Sequence, residues 1–401
     1  MYDVMKGVRV IEVAEHIFVP SAAMMLADWG ADVIKVERAM DGGDPVRTMA
    51  VMQVPGQKLN GNFELSNRGK RSIGLDLNQA EGREILYKLV ESADIFITNL
   101  RANARIKLGI EPGDLMKHNP KLIYARGTGY GLRGAMAHHG GFDLPTAWCR
   151  SGSAFAQTLP DGVPPPQPGS VGDLMSGATL AGAVAAALFR RERTGKGGIV
   201  DNSLFHLGSY IMTQSVTLTS LGAPRGGPIP RTDAHFPLVN FYKTKDNRWL
   251  MMCLLMERWW PDFARHIGRE DLLTDPRFAG VDGRMANKKE LIAELDRTFA
   301  TKTFEEWKAQ LHTMEGVWAP CQNAQELLHD QQALDNGFIT EVSMPDGDTY
   351  MTVASPGQFD EQPIGELRAS PAFAQHTDEV MREIGVPSAQ IKSLRSAGVL
   401  A

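Results

Sequence analysis

The chain has 401 residues, 43% hydrophobic and 22% charged, with a net charge of −5. That balance belongs to a globular protein long enough for more than one compact unit. With no run of five Lys or Arg it carries no footprint for a nucleic-acid backbone, and its three cysteines, Cys149, Cys253 and Cys321, are too scattered for a disulfide framework or a C-x-x-C zinc site.

The opening, MYDVMKGVRVIEVAEHIF, has no charged leader ahead of an apolar run, so a strand is expected almost at once rather than a signal peptide. Residues 7–14 read as a buried strand. Pro20 suits a first helical position, with 21–29 as the helix body and Gly30 as its C-terminal cap. Residues 31–37 form the next strand. Residues 78–92 are helical, with Leu86, Leu89 and Val90 on one face. Further strands are expected at 94–99 and 121–126. Such alternation predicts a mostly parallel sheet covered by helices, an α/β fold. The first turn, AEHIFVPSA, lacks G-x-G-x-x-G, which demotes a nicotinamide or flavin dinucleotide.

Residues 131–172 read as irregular, and PDGVPPPQPGSVG within them as a loop. A long helix of small apolar residues follows, opened by Asp173. Its end is marked by Arg190, Arg191 and Arg193 at the negative pole and by Gly195 as a left-handed cap. This helix comes nearest to a membrane span, but Ser176, Thr179 and its many Gly and Ala weaken that reading, and no span is expected. An Asp at a helix start is ordinarily an N-cap worth about 1 kcal/mol. The helix N-terminus would also favour its ionised form.

A Gly- and Pro-dense stretch at 219–234 marks a boundary. Two apolar runs within 236–255 flank KTKDNR as a hairpin, and helices rich in Trp, Phe and charge continue to about 335. Strands return in 337–358 around a D-G turn. A helix at 378–384 and a loose tail end the chain. The units are therefore 1–222, an α+β unit at 223–335, and 336–401 returning to the first. The cytoplasm is the expected location.

Three stretches, LADWGADVIKVER, NRGKRSIGLDL and GDLMSGATLAGAVAAALFRRERTGKG, occur in this order. Together they resemble the family III (CaiB/BaiF) CoA-transferases, which include formyl-CoA, carnitine and bile-acid CoA-transferases, with the α-methylacyl-CoA racemases in the same superfamily. The resemblance implies a Rossmann-like large domain whose parallel sheet is formed by N- and C-terminal parts, a smaller middle domain, and an interlocked homodimer. It implies an acyl-CoA and a carboxylic acid as substrates, coenzyme A entering only as substrate, and no metal or other cofactor; charge and apolar-run length already leave neither nucleic acid nor membrane as an expected partner. Asp173 falls on the aspartate that attacks the thioester, passing through an aspartyl anhydride and an aspartyl-CoA thioester. Gly169 and Gly172 leave room beside it.

By the same resemblance Arg38 lies near the adenosine, and Asn67, Lys70, Asn99, Leu100 and Lys107 line the nucleotide. Lys107 replaces the arginine of the formyl-CoA enzyme, keeping charge but losing the bidentate fork. Phe142 occupies the place of the racemases' proton-shuttling His, which favours a transferase over a racemase. Asp143 follows at an acidic position, with a turn or cap residue as its other reading. His138 and His139 read as solvent-facing loop residues. The glycine-rich loop of formyl-CoA-type enzymes matches PRGGPIPR, with Gly226 and Gly227, which also reads as an interdomain linker. Phe18-Val19-Pro20 replaces the usual A-G-P, Ile17 a glutamine and Gly140 a lysine, so formate and oxalate are not expected substrates. Ile17, Phe18, Phe142, Trp148 and Met175 suggest a larger apolar acyl group. The rival functions are an acyl-CoA racemase or epimerase, and a CoA-binding protein without turnover.

Overall fold

Six short runs, rich in Val and Ile at the centre, make one parallel sheet: β1 (Arg9–Val13), β2 (Asp32–Glu37), β3 (Arg71–Gly74), β4 (Ile95–Thr98), β5 (Ile123–Thr128) and β6 (Gly198–Ser203). The computed structural model describes residues 1–49, 60–160, 162–223 and 228–401. The strand order is β3-β2-β1-β4-β5-β6, with every pairing parallel. This is the Rossmann order, in which the order of strand addition reverses between β1 and β4. A crevice opens there, beyond the C-terminal strand ends.

Alternation along the strands feeds two cores. Ile11, Ile34, Phe96 and Tyr124 face one side with Leu86, Leu89 and Val90. Val10, Ile95, Ile97 and Ile123 face the other, against the Phe18–Asp28 and Val171–Thr194 helices. The first of these helices starts before Pro20, which is its third residue rather than its first. The first intrahelical bond runs from the Ser21 N–H to the Ile17 carbonyl, so the N–H that proline lacks had no partner to lose. The long helix lies across it at Gly177, where a Cβ would overlap Ser21 Oγ and come within 2.9 Å of the Phe18 carbonyl. Among the described residues only this long helix has the length and apolarity to cross a membrane. Its buried stripe, Gly177, Leu180, Ala181, Val184 and Leu188, is spent on the Phe18–Asp28 helix and the sheet.

Three expectations need correction. The parallel sheet is built by residues 9–203 alone, without a strand from the C-terminal part. The final segment, expected as a loose tail, folds into a Ser388–Ser396 helix after Thr377–Glu383. Val380, Met381, Ile391 and Leu394 enter the core beside Ile73, and Leu400 bridges to Leu75. The irregular stretch contains a π-helical turn at Leu144–Cys149 and a short helix at Ser153–Ala156. The strands of the C-terminal part, Ile339–Ser343, Thr349–Val353 and Leu367–Arg368, form a separate three-stranded sheet, with a turn at Asp346 and Gly347.

Contacts divide the chain into one unit of residues 1–155, 165–223 and 331–401, and another of 156–164 and 224–330. The second carries the Val239–Lys243 and Trp249–Cys253 hairpin with Val317–Pro320 as third antiparallel strand. Its core is aromatic, with Tyr242, Phe263, Phe299, Phe304 and Trp307.

Candidate active site

Two cavities open beyond the C-terminal strand ends, on either side of the β1–β4 reversal. One, about 430 Å³, is walled by Arg38, Asn78, Leu100, Arg101 and Lys107 among others. The second, about 400 Å³, is walled by His16, Phe18, His139, Phe142 and Asp173, with backbone from Gly127–Gly129 and Gly140–Gly141. Glu15, Leu100 and Arg101 belong to both walls, so the cavities adjoin.

Asp173 is not the helix cap. The Val171–Thr194 helix begins after Ser170, whose φ is 54°, and Asp173 is its third residue. The carboxylate that serves the helix start is Asp143, just before the π-helical turn. Its Oδ2 accepts the Gly172 N–H at 3.1 Å and the Gln167 Nε2 donor at 2.6 Å. Gly172 permits this approach, since a Cβ there would overlap Asp143 Oδ1 and lie 2.7 Å from Ala147 Cβ. Asp143 is 8% exposed, and its Oδ1 has no hydrogen-bond partner among the described residues.

Relieved of capping, the Asp173 side chain carries no hydrogen bond or ion pair among the described residues. Burial, and then the charge of Asp143, push its carboxyl up to about 7. The expected preference of a helix N-terminus for the ionised acid is thus outweighed by lost hydration and a like charge. The result is a half-buried carboxylate facing a cavity, more basic than an ordinary one and about half ionised near neutrality.

The other expected residues divide. Phe18 and Phe142 line the second cavity, and Phe142 is 65% exposed. Met175 does not line it; two residues along a helix is roughly 200° of rotation, which turns it away from Asp173. Ile17 also stands outside that wall, between His16 and Phe18, which face in. Gly226 and Gly227 lie outside the described residues. Arg38 and Lys107 line the first cavity, with Arg38 ion-paired to Glu15 and Asp41 at 3.2 and 3.1 Å. Asn99 lines the second and ties β4 to β1, donating to the Glu15 carbonyl at 2.6 Å and accepting its N–H at 3.0 Å.

Asn67 and Lys70 line neither cavity. They are 0% and 4% exposed, inside an ionic cluster beneath the first turn. Lys70 Nζ reaches Glu12 Oε2 at 2.6 Å and donates to Asn67 Oδ1 and the Pro20 carbonyl, both at 2.9 Å. Burial lowers its ammonium to about 8. Lys35 completes the cluster with Glu12 Oε1 at 2.7 Å and Asp44 Oδ2 at 2.9 Å. Burial opposes its charge, but Glu12, Asp44 and Glu37 carry it above the usual lysine range.

The family model for CoA-transferase family III matches residues 5–377. The chain belongs to CoA-transferase family III. This transferase is 33% identical to an (R)-2-hydroxy-4-methylpentanoate CoA-transferase of Clostridioides difficile, over 99% of both chains. It is 32% identical to a cinnamoyl-CoA:phenyllactate CoA-transferase of Clostridium sporogenes, over 98% of this chain and 96% of that one. A crystal structure of a CaiB/BaiF family protein from Brucella suis superposes with a TM-score of 0.83 at 27% identity, covering 95% of this chain and 99% of that chain. An enzyme of this family takes an acyl-CoA and a carboxylate as substrates.

In the transferase, three cavity residues escaped sequence reasoning. Arg101 borders both cavities and has no ion pair among the described residues; its signal was its place two residues beyond Asn99, at the end of β4. His139, read as a solvent-facing loop residue, lines the Asp173 cavity, whereas His138 lies outside that wall. His16 was overlooked although it directly precedes Ile17. It holds a left-handed φ of 66°, a conformation costing about 1–3 kcal/mol outside glycine.

Proposed function

We propose that Asp173 is the covalent carrier of CoA transfer from an acyl-CoA to a free carboxylic acid. The observation that carries this is a carboxylate at a cavity wall, unbonded among the described residues and made more basic by its surroundings. The ionised oxygen attacks the thioester carbonyl, the C–S bond breaks, and CoA leaves as thiolate beside an aspartyl anhydride. The thiolate attacks the Asp173 carbonyl, releases the first acid as carboxylate, and leaves an aspartyl-CoA thioester. The incoming carboxylate attacks that thioester to form a second anhydride. The returning thiolate then takes the new acyl group and frees Asp173. Protons and electrons balance at every step, and the carboxylate and thioester carry the bond changes between them.

The adjoining cavity suits the nucleotide end of CoA, with Arg38, Lys107 and Arg101, which has no ion pair among the described residues, near its phosphates. The wall formed by Phe18, Phe142 and Leu132 suits an apolar acyl group, in keeping with the acids named for the two relatives. Residues 1–222 and 336–401 would act as the CoA-binding domain and 223–335 as the smaller one. Phe142, without an exchangeable proton at the racemase His position, disfavours the racemase reading.

A second copy of the chain completes the proposal. The Thr213–Ser220 helix buries none of its residues. Around it Tyr210, Ile211, Val216, Leu218 and Leu221 are exposed, an apolar surface that calls for a cover. A homodimer supplies one.

Mass spectrometry of the enzyme incubated with acyl-CoAs tests the carrier. A hydroxylamine-sensitive adduct on Asp173 is expected. Asp173→Ala should fold and bind CoA but form no adduct and catalyse no exchange; wild-type turnover in that variant would end the reading. Deuterium uptake at the acyl α-carbon without an acceptor acid would instead favour the racemase.

A further inference from the structure

The second cavity has a mixed wall, most of whose polar side chains are committed to other partners. Glu15 is paired with Arg38, Asn99 with the Glu15 backbone, and Arg105 with Glu111. Thr128 accepts the Gly131 N–H. Apart from Asp173 and Arg101, the wall side chains with polar atoms unbonded among the described residues are His16 and His139. His139 is exposed on an irregular stretch. His16 is half-buried and built in.

Its support is specific. The His16 N–H donates to Asp44 Oδ1 at 3.3 Å, and Asp44 is anchored by buried Lys35. Its carbonyl accepts from Ser66 Oγ at 3.4 Å. The ring packs edge-on to Phe142, centroids 5.5 Å apart. A non-glycine residue is thus held in a left-handed turn, with an imidazole unbonded among the described residues in the same wall as Phe18, Phe142 and Leu132. Core packing alone would not call for a ring with two polar nitrogens here, and a chamber for plain hydrocarbon acids would not call for one either.

We propose that His16 is the specificity residue for an α-hydroxyl on the acyl group, which makes α-hydroxy acids with apolar side chains the preferred substrates. This rests on Asp173 being the acyl carrier in the same cavity. An imidazole nitrogen can donate to or accept from a hydroxyl. The phenylalanine and leucine wall takes the remainder. A branched α-hydroxy acid and phenyllactate, named for the two relatives, combine these two features, while the cinnamoyl group also named for the second has the apolar part alone.

The test compares phenyllactoyl-CoA with phenylpropionyl-CoA as donors, which differ only in that hydroxyl. The wild type should favour the hydroxy thioester by about tenfold or more in kcat/KM, since a site built to bond a hydroxyl rejects its absence. His16→Gly keeps the left-handed turn without strain and should bring the ratio toward unity by losing activity on the hydroxy donor. His16→Asn tolerates the same backbone and still hydrogen-bonds, so it should keep part of the preference. A wild-type ratio retained in His16→Gly, or no preference in the wild type, overturns the proposal. The Asp173 adduct is measured separately in each sample. Its absence sinks the carrier reading, whereas an adduct with an unchanged ratio sinks only the role of His16.

Discussion

At Asp173 two physical effects oppose each other. The helix N-terminus stabilises a negative charge in its first turn, while partial burial and the neighbouring Asp143 penalise it, and the penalty prevails. Adduct formation should therefore rise with pH to a plateau, with its midpoint at about 7, because the ionised form is the nucleophile. Asp143→Asn should lower that midpoint yet leave it above an ordinary carboxyl, since burial remains the larger cause. The same shift has a stability sign. Unfolded, the group titrates near 3.8; folded, it keeps its proton up to about 7. The native state binds more protons within that window, so stability falls as pH rises through it. Asp173→Asn should accordingly stabilise the protein at about pH 8 by on the order of 1–3 kcal/mol. The gain should vanish below about pH 4, as read from urea unfolding at both pH values. Equal stability of parent and variant at the higher pH would contradict the raised value. The candidate role of Asp173 was legible from its motif, but its electrostatics were not, because Asp143 reaches it only through the fold.

At the scale of elements, the site depends on the crossing of two helices and on one ionic cluster. Gly177 lets the long helix meet the Phe18–Asp28 helix, whose first residue forms the cavity wall. Gly177→Ala would press a methyl onto Ser21 and the Phe18 carbonyl, and should cost about 1–3 kcal/mol and lower the melting temperature. An unchanged melting temperature would mean that the contact relaxes freely. Lys35 is fully buried between Glu12 and Asp44. Lys35→Met leaves those carboxylates with Lys70 as the remaining buried cation among the described residues of the cluster, and should cost about 3–5 kcal/mol in denaturant unfolding. The central strands and the long helix were readable as elements because their apolar runs are continuous. The edge strands β3 and β6 were not: RSIG is only four residues, and GIVDNS has only two aliphatic side chains. The π-helical turn that follows Asp143 has no periodic signature, and it lies in a stretch that reads as loop.

For the whole molecule, the exposed apolar row from Tyr210 to Leu221 leads to a prediction about assembly. Sedimentation should give twice the chain mass, and Val216→Asp combined with Leu218→Asp should shift the protein toward monomer or insoluble material. A stable monomeric parent would refute the proposed pairing. Taken alone, the residues determined the family, the α/β alternation and the identity of Asp173 as a candidate, because local patterning and ordered motifs are properties of contiguous chain. Only the tertiary structure decided that Asp143 rather than Asp173 serves the helix start. It also decided that Asn67 and Lys70 are internal, that the last residues complete a core, and that His16 faces the cavity. Capping, burial and charge coupling are set by segments distant in sequence, and their distances exist only once the chain has folded.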